Sequence, residues 1–151
     1  MTPARRLIVA GATGKQGGAV IDALLSSKSG NPFHIFAVTR NRNSSRTRAL
    51  AWKPNVSIIG GDLDDCPAIF KQVEKPWGVF SVQLPLPNAR VEERRGKALV
   101  DAAAAADVKH FVYTSADCGG FQPSNVNPTK VAHSASKHRI EQHLQKTAAA
   151  S

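Results

Sequence analysis

The sequence is short of several things. Its two cysteines, Cys66 and Cys118, form no C-x-x-C pair and have no regularly spaced histidines, which argues against a disulfide framework and against a zinc site. No apolar run approaches the roughly 20 residues that span a bilayer. The stretch after Arg5-Arg6, from Leu7 to Ala10, is too short for a secretory signal core. These absences lead to the expectation of a cytoplasmic chain, with the nucleus also within its reach, and no membrane contact. Acid is scarce: 11 Asp and Glu stand against 20 Lys and Arg, a formal net charge of +9, and no carboxylate occurs from Ala23 to Gly61. Charged residues make up only 21% of the chain, and 11 glycines and 9 prolines are ordinary numbers, which excludes a disordered tail, a collagen repeat and a coiled coil. Tyrosine occurs once, as Tyr113.

What remains is a chain of 151 residues, 42% hydrophobic, the size of one domain with a real core. Five short apolar runs rich in β-branched and aromatic residues read as buried strands: Leu7 to Ala10, Phe33 to Val38, Val56 to Ile59, Val79 to Val82 and His110 to Tyr113. Segments with helical spacing follow each of them, at Gln16 to Ser27, Ser44 to Trp52, Cys66 to Glu74, Asn88 to Ala106 and Lys130 to Ala148. Strict β-α alternation predicts an α/β, doubly wound parallel sheet of five strands with helices on both faces. One domain over 1–148 accounts for the chain, with 149–151 as a frayed tail. The stretch 116–129, crowded with Gly, Pro and Asn, reads as a long functional loop.

The first strand runs directly into Gly11-Ala12-Thr13-Gly14-Lys15-Gln16-Gly17-Gly18, where a helix begins. Glycines spaced G-x-x-G-x-x-G let backbone turn sharply, approach a pyrophosphate without an intervening Cβ, and aim helix N-terminal amides at an anion. The position of this loop, closing a strand and opening a βαβ unit, is the context in which the pattern signifies dinucleotide binding. An NAD site usually has an acidic residue at the end of the second strand, to accept hydrogen bonds from the adenosine ribose. Here that strand ends in Thr39-Arg40-Asn41-Arg42-Asn43-Ser44, with Arg46 and Arg48 beyond. A guanidinium at Arg40 can pair with a 2′-phosphate that a carboxylate would repel, so NADP(H) is expected over NAD(H). Arg46 and Arg48 read as a solvated helix face. The basic cluster lacks interleaved aromatics and no helix-turn-helix is visible, so direct nucleic-acid binding is not expected.

At this point the sequence resembles the NmrA-like family of atypical short-chain dehydrogenase/reductase proteins. The resemblance rests on GATGKQGG at Gly11 to Gly18, VTRN at Val38 to Asn41, GDLDD at Gly61 to Asp65, VFSVQLP at Val79 to Pro85, RGKALVDAA at Arg95 to Ala103, HFVYTS at His110 to Ser115 and HSASKHRIE at His133 to Glu141. It implies a Rossmann-like sheet of order 3-2-1-4-5. It further implies that Gly11 and the run Thr13, Gly14, Lys15, Gln16 and Gly17 cradle the pyrophosphate, and that Thr39, Arg40, Asn41, Arg42 and Ser44 surround the 2′-phosphate. Asp62 and Leu63 would flank the adenine, Gln83, Leu84 and Pro85 the nicotinamide, while Lys97 and Lys137 would approach the ribose and phosphates.

Reductases of the wider group protonate their substrate through a Tyr-x-x-x-Lys pair, and here that place holds His133-Ser134-Ala135-Ser136-Lys137. Lys137 and His133 are therefore the candidate catalytic residues, with Ser115 within reach of a substrate carbonyl. The resemblance also implies a longer protein, continuing with a sixth strand and a substrate-binding portion. Together these points lead to the expectation of NADP(H) binding with little or no catalysis, as a cofactor-sensing module for a regulatory protein partner. The alternative is an NADPH-dependent reductase of the isoflavone-reductase-like type, incomplete without that C-terminal portion. No metal is implied.

Overall fold

Each of the five apolar runs forms a strand, because β-branched and aromatic side chains fit a sheet covered on both faces. In a computed structural model, which describes residues 3–28, 32–84, 88–117 and 129–150, these are β1 (Arg5–Val9), β2 (Phe33–Thr39), β3 (Val56–Gly60), β4 (Gly78–Ser81) and β5 (His110–Tyr113). All pairings are parallel and the order is β3-β2-β1-β4-β5. The register sets Val9 beside Ala37 and Phe80, so β1 lies at the centre of the sheet.

Helices α1 (Lys15–Ser26) and α2 (Ser45–Ala51) cover one face through Ile21 and Leu50, which pack with Val9, Ile35 and Ala37. On the other face, α3 (Cys66–Phe70) and α4 (Ala89–Ala105) bury Cys66, Ile69, Leu99 and Ala103 against Ile8, Val38 and Val79. The last helix, α5 (Ala132–Ala149), lies on α4. Side-chain caps start three of these helices: Ser44 accepts from the Thr47 amide, Asp65 from Ala68 and Asn88 from Arg90. Cys66 belongs to the core, and burial, with the carboxylates of Asp65, Asp64 and Asp62, pushes its thiol up to about 11. It is therefore an inert packing atom rather than a nucleophile.

Two helix boundaries differ from expectation by more than one residue. The helix expected over Cys66 to Glu74 ends at Phe70. Lys75, at φ +48, precedes Pro76, whose ring disfavours the right-handed helical conformation in the residue before it. The final helix starts at Ala132, two residues later than its spacing suggested, and runs on through Ala149. Most of the expected functional loop, 118–128, lies outside the described residues, as do Cys118 and Pro85.

Gly96 sets the closeness of α4 and α5. A Cβ there would fall 2.4 Å from Ile140 Cδ1 and 2.8 Å from its Cγ1, and Ile140 is fully buried. Alanine at 96 gains about 1 kcal/mol of helix propensity, but overpacking a full core costs about 1–3 kcal/mol. Gly96→Ala is therefore expected to lower the urea midpoint. Ile140→Val, which removes the colliding methyl, should make the double variant more stable than the sum of the singles. Strict additivity of the two would mean that this contact is not what limits the helix approach.

Candidate functional site

The chain steps outward from β1 to β3, then crosses back to β4, so the loops after β1 and β4 diverge and leave a crevice at the C-terminal ends of the strands. A cleft of about 600 Å³ opens there. One half runs from the glycine loop across the ends of β2 and β3. Val82, Gln83 and Leu84 after β4, Thr114 and Ser115 after β5, and the helix residues Glu92, His133 and Lys137 wall the other half.

The glycine loop is held by its own backbone. Gly11 adopts φ +64, the Gly14 amide donates to the Gly11 carbonyl at 2.9 Å, and the Gly18 amide donates to Gly14 at 3.0 Å. Gly17 has no room for a side chain: a Cβ would stand 2.3 Å from the Gly11 carbonyl oxygen. Gly14 is the N-cap of α1 and has no side chain to satisfy the amides of the first turn, which also carries no acidic residue. Free amides and the helix dipole thus face the cleft, a standing invitation to an anion.

A hydroxyl network shapes the turn after β2. Thr47, 1% exposed, donates from Oγ1 to the Asn41 carbonyl at 2.8 Å and lies 2.8 Å from Ser44 Oγ, while the Asn41 amide donates to Thr39 Oγ1 at 3.1 Å. The network holds the turn and leaves Arg40 exposed on the cleft wall. Its guanidinium has no hydrogen-bond or ion-pair partner among the described residues. Arg46, from the first turn of α2, reaches the cleft as well and donates to the Thr13 carbonyl at 3.4 Å, linking this turn to the glycine loop. On the β3 side, Asp62 caps a 3-10 turn over Leu63–Asp65, and Arg95 stands 3.4 Å from its carboxylate. The same guanidinium, in a hydrogen bond to Asp64, holds that carboxyl below its ordinary range.

At the opposite end lies a buried charge cluster. Glu92 is fully buried, yet it is a carboxylate. Its Oε2 lies 2.8 Å from His133 Nδ1 and its Oε1 lies 3.1 Å from Lys137 Nζ, which is itself 5.7 Å from the centre of the Tyr113 ring. Burial, and the charges of Glu92 and Glu141, drive the Tyr113 phenol far above its ordinary range, so Tyr113 is no proton donor in the manner of a lysine-activated tyrosine. Close by, Gln83 is 4% exposed and donates from Nε2 to Ser81 Oγ at 2.8 Å, while its Oε1 has no partner among the described residues. Among the same residues the buried Ser115 hydroxyl has none either.

These residues fit a dinucleotide. Bare backbone and uncapped amides stand at one point of the cleft, with the Arg40 guanidinium on one side and, on the other, amide and hydroxyl groups that lack partners among the described residues, as an amide-bearing ring would require.

The sequence profile of the NmrA-like family matches residues 3–150. The chain belongs to the NmrA-like family. An NmrA-like family domain-containing oxidoreductase, FrzB, of Cladobotryum sp is 32% identical over 148 residues, covering 93% of this chain and 42% of that protein. The oxidoreductase hkm9 of Aspergillus hancockii, of the same description, is 37% identical over 117 residues, 74% of this chain and 33% of that one. This NmrA-like chain thus spans less than half the length of either relative. Among solved structures, triphenylmethane reductase of Citrobacter sp., complexed with NADP(H), superposes with a TM-score of 0.72 at 25% identity, over 94% of this chain and 46% of that one. NmrA, a negative transcriptional regulator in complex with NAD, superposes at 0.71 and 21% identity, over 96% and 43%. The second likeness is one of fold.

Within this NmrA-like site, the cleft brings together Gly11, Thr13, Gly14, Lys15, Gln16, Gly17, Thr39, Arg40, Asp62, Leu63, Gln83, Leu84, His133 and Lys137. Four sequence candidates lie off it. Asn41 and Ser44 build the β2 turn and cap α2, and Arg42 lies along Gly60. Lys97 pairs with Glu93 at 2.6 Å, because it follows Gly96, the residue of α4 that faces α5, and so points about 100° away from it around the helix. Sequence reasoning passed over Glu92 and Arg95, and it assigned Arg46 to solvent. A signal for Glu92 was present: it lies in the stripe Glu92, Gly96, Leu99, Val100 and Ala103 that α4 buries, the one acid on an otherwise apolar and small face. Among the described residues no helix is long and apolar enough to cross a membrane, and no cluster of side chains could hold a metal ion.

Proposed function

We propose that this chain is the cofactor-binding portion of an NADP(H)-dependent oxidoreductase. The observation that carries the reading is Lys137, 7% exposed in the cleft wall and held by buried Glu92 beside His133, because a charged cluster so placed costs stability unless it serves a ligand. The relatives named as oxidoreductases and the NADP(H) complex of triphenylmethane reductase support the same class. Arg40, with no carboxylate from Ala23 to Gly61, supports NADP(H) over NAD(H).

In this reading, the amides of α1 and the bare backbone at Gly17 hold the pyrophosphate, Arg40 and Arg46 hold the 2′-phosphate, and Gln83 Oε1 takes the carboxamide. Asp62 and Leu63 border the adenine. When bound in its reduced form, the cofactor supplies a hydride. Lys137 fixes the ribose and the cluster holds a proton near the acceptor. A second reading, a cofactor sensor without turnover acting on a protein partner, is favoured by His133 standing where a tyrosine would relay the proton. We weigh the cluster above the missing tyrosine. Steady-state NADPH oxidation against ketones and quinones separates the two: turnover above spontaneous decay, lost in Lys137→Ala, is expected. Tight NADPH binding with no turnover on any acceptor would instead leave the sensor.

A further inference from the structure

Glu92 has no assigned part in dinucleotide binding, and stability does not account for it. A carboxylate taken wholly out of water costs several kcal/mol, and its ion pairs at best repay this, so a well-packed apolar residue in the α4 stripe would serve the fold as well or better. The position instead joins two cleft residues of one helix face: His133 and Lys137, one turn apart on α5, both meet Glu92 from α4. Arg95 on α4 is the remaining cationic cleft residue nearby, and it is engaged by Asp62 and Asp64. The Tyr113 phenol stays neutral.

The geometry of the His133 contact has a chemical consequence. A carboxylate only accepts, so the hydrogen between it and the ring belongs to Nδ1. Nε2 is then the nitrogen left for a ligand, and it has no partner among the described residues. The ring borders the cleft while its side chain is 39% exposed, so one edge has access to water.

We infer that Glu92 is a positioning residue, which fixes His133 with its hydrogen on Nδ1 and makes Nε2 the proton donor to the hydride acceptor. The inference rests on the oxidoreductase reading for its purpose but not for its first test. In the step itself, the doubly protonated ring has only its Nε2 proton to give, since the carboxylate retains the other. His133 passes that proton to the acceptor oxygen while the acceptor carbon takes a hydride, with its electron pair, from the reduced nicotinamide. The electron pair of the C=O π bond becomes the new O–H bond, the dinucleotide is left oxidised, and the neutral ring regains a proton from solvent. Lys137 is held beside it on the other carboxylate oxygen.

The direct test is a long-range 1H–15N spectrum of the full chain with labelled histidine, with His133 assigned by comparison with His133→Asn. The neutral ring is expected as the Nδ1–H form in the unaltered protein and predominantly as the Nε2–H form in Glu92→Leu/Lys137→Met, a double variant that leaves no uncompensated ammonium in the core. An unchanged tautomer would overturn the proposal whatever the turnover. Should that variant not fold, Glu92→Gln keeps the shape but replaces an accept-only carboxylate with an amide that can also donate to Nδ1, so the side chain no longer dictates the tautomer. With it, kcat is expected to fall at least about tenfold with the KM for NADPH within about twofold. An unaltered kcat would equally overturn the proposal. If no acceptor is turned over by the unaltered protein, the oxidoreductase reading fails while the tautomer result stands on its own.

Discussion

Gly17→Ala is expected to abolish measurable dinucleotide binding, while Gly18→Ala, one residue on, leaves it within about twofold and raises the melting temperature. The added methyl at 17 meets three backbone atoms, the Gly11 oxygen at 2.3 Å, the Gly11 carbon at 2.7 Å and Ala12 Cα at 2.9 Å, none of which can rotate away. The loop must open, and the amides at the start of α1 leave their positions. Each hydrogen bond to a charged phosphate is worth about 1.5–3 kcal/mol, so losing two weakens binding by more than about 100-fold. At Gly18 the nearest atom is the Ala12 oxygen at 3.8 Å, ordinary contact, and replacing glycine inside a helix stabilises by up to about 1 kcal/mol, or about 3 °C in a chain of this length. Calorimetric titration with NADPH and a thermal melt of each variant decide it. Equal binding by both variants would mean that close backbone approach at Gly17 plays no part in holding the ligand.

The spacing G-x-x-G-x-x-G already singles out Gly17 over Gly18, and the folded loop supplies the physical reason: one is pressed against Gly11 and the other is not. The five strands were legible because each is a short run of mostly β-branched and aromatic residues between turn residues. The sheet order followed only once the family resemblance was added to β-α alternation. Arg40 was legible because it directly follows a strand, which fixes its place at the C-terminal edge. Arg46 was not, because its role depends on the first turn of α2 standing beside the glycine loop, a consequence of β1 and β2 being neighbours. Glu92 was hidden by its setting, VEERRGK, which reads as a solvated charged helix until the buried stripe of α4 is traced through Gly96. Lys97 failed for the same reason in reverse: one residue beyond that stripe, it turns to Glu93 rather than the cleft.

Arg40→Asp is expected to lower NADPH affinity by about 100-fold and to leave NADH affinity unchanged or slightly higher. The turn that carries Arg40 is braced by the buried Thr47 hydroxyl and its bonds to Asn41 and Ser44, so the substitution should alter charge without moving the backbone. Losing a charge-assisted contact to the 2′-phosphate costs about 1.5–3 kcal/mol, and a carboxylate a few ångströms from that phosphate adds about 1 kcal/mol of repulsion through water. Together these come to about two orders of magnitude. NADH has no 2′-phosphate to lose, and an aspartate there can accept from its ribose hydroxyls. Salt gives an independent check: added salt should weaken NADPH binding to the unaltered protein more than NADH binding, and Arg40→Asp should erase the difference. Arg46→Ala alone should show a smaller loss, because its guanidinium is shared with the Thr13 carbonyl. An NADPH-to-NADH affinity ratio untouched by Arg40→Asp would remove the 2′-phosphate from this end of the cleft, and with it the preference for NADP(H).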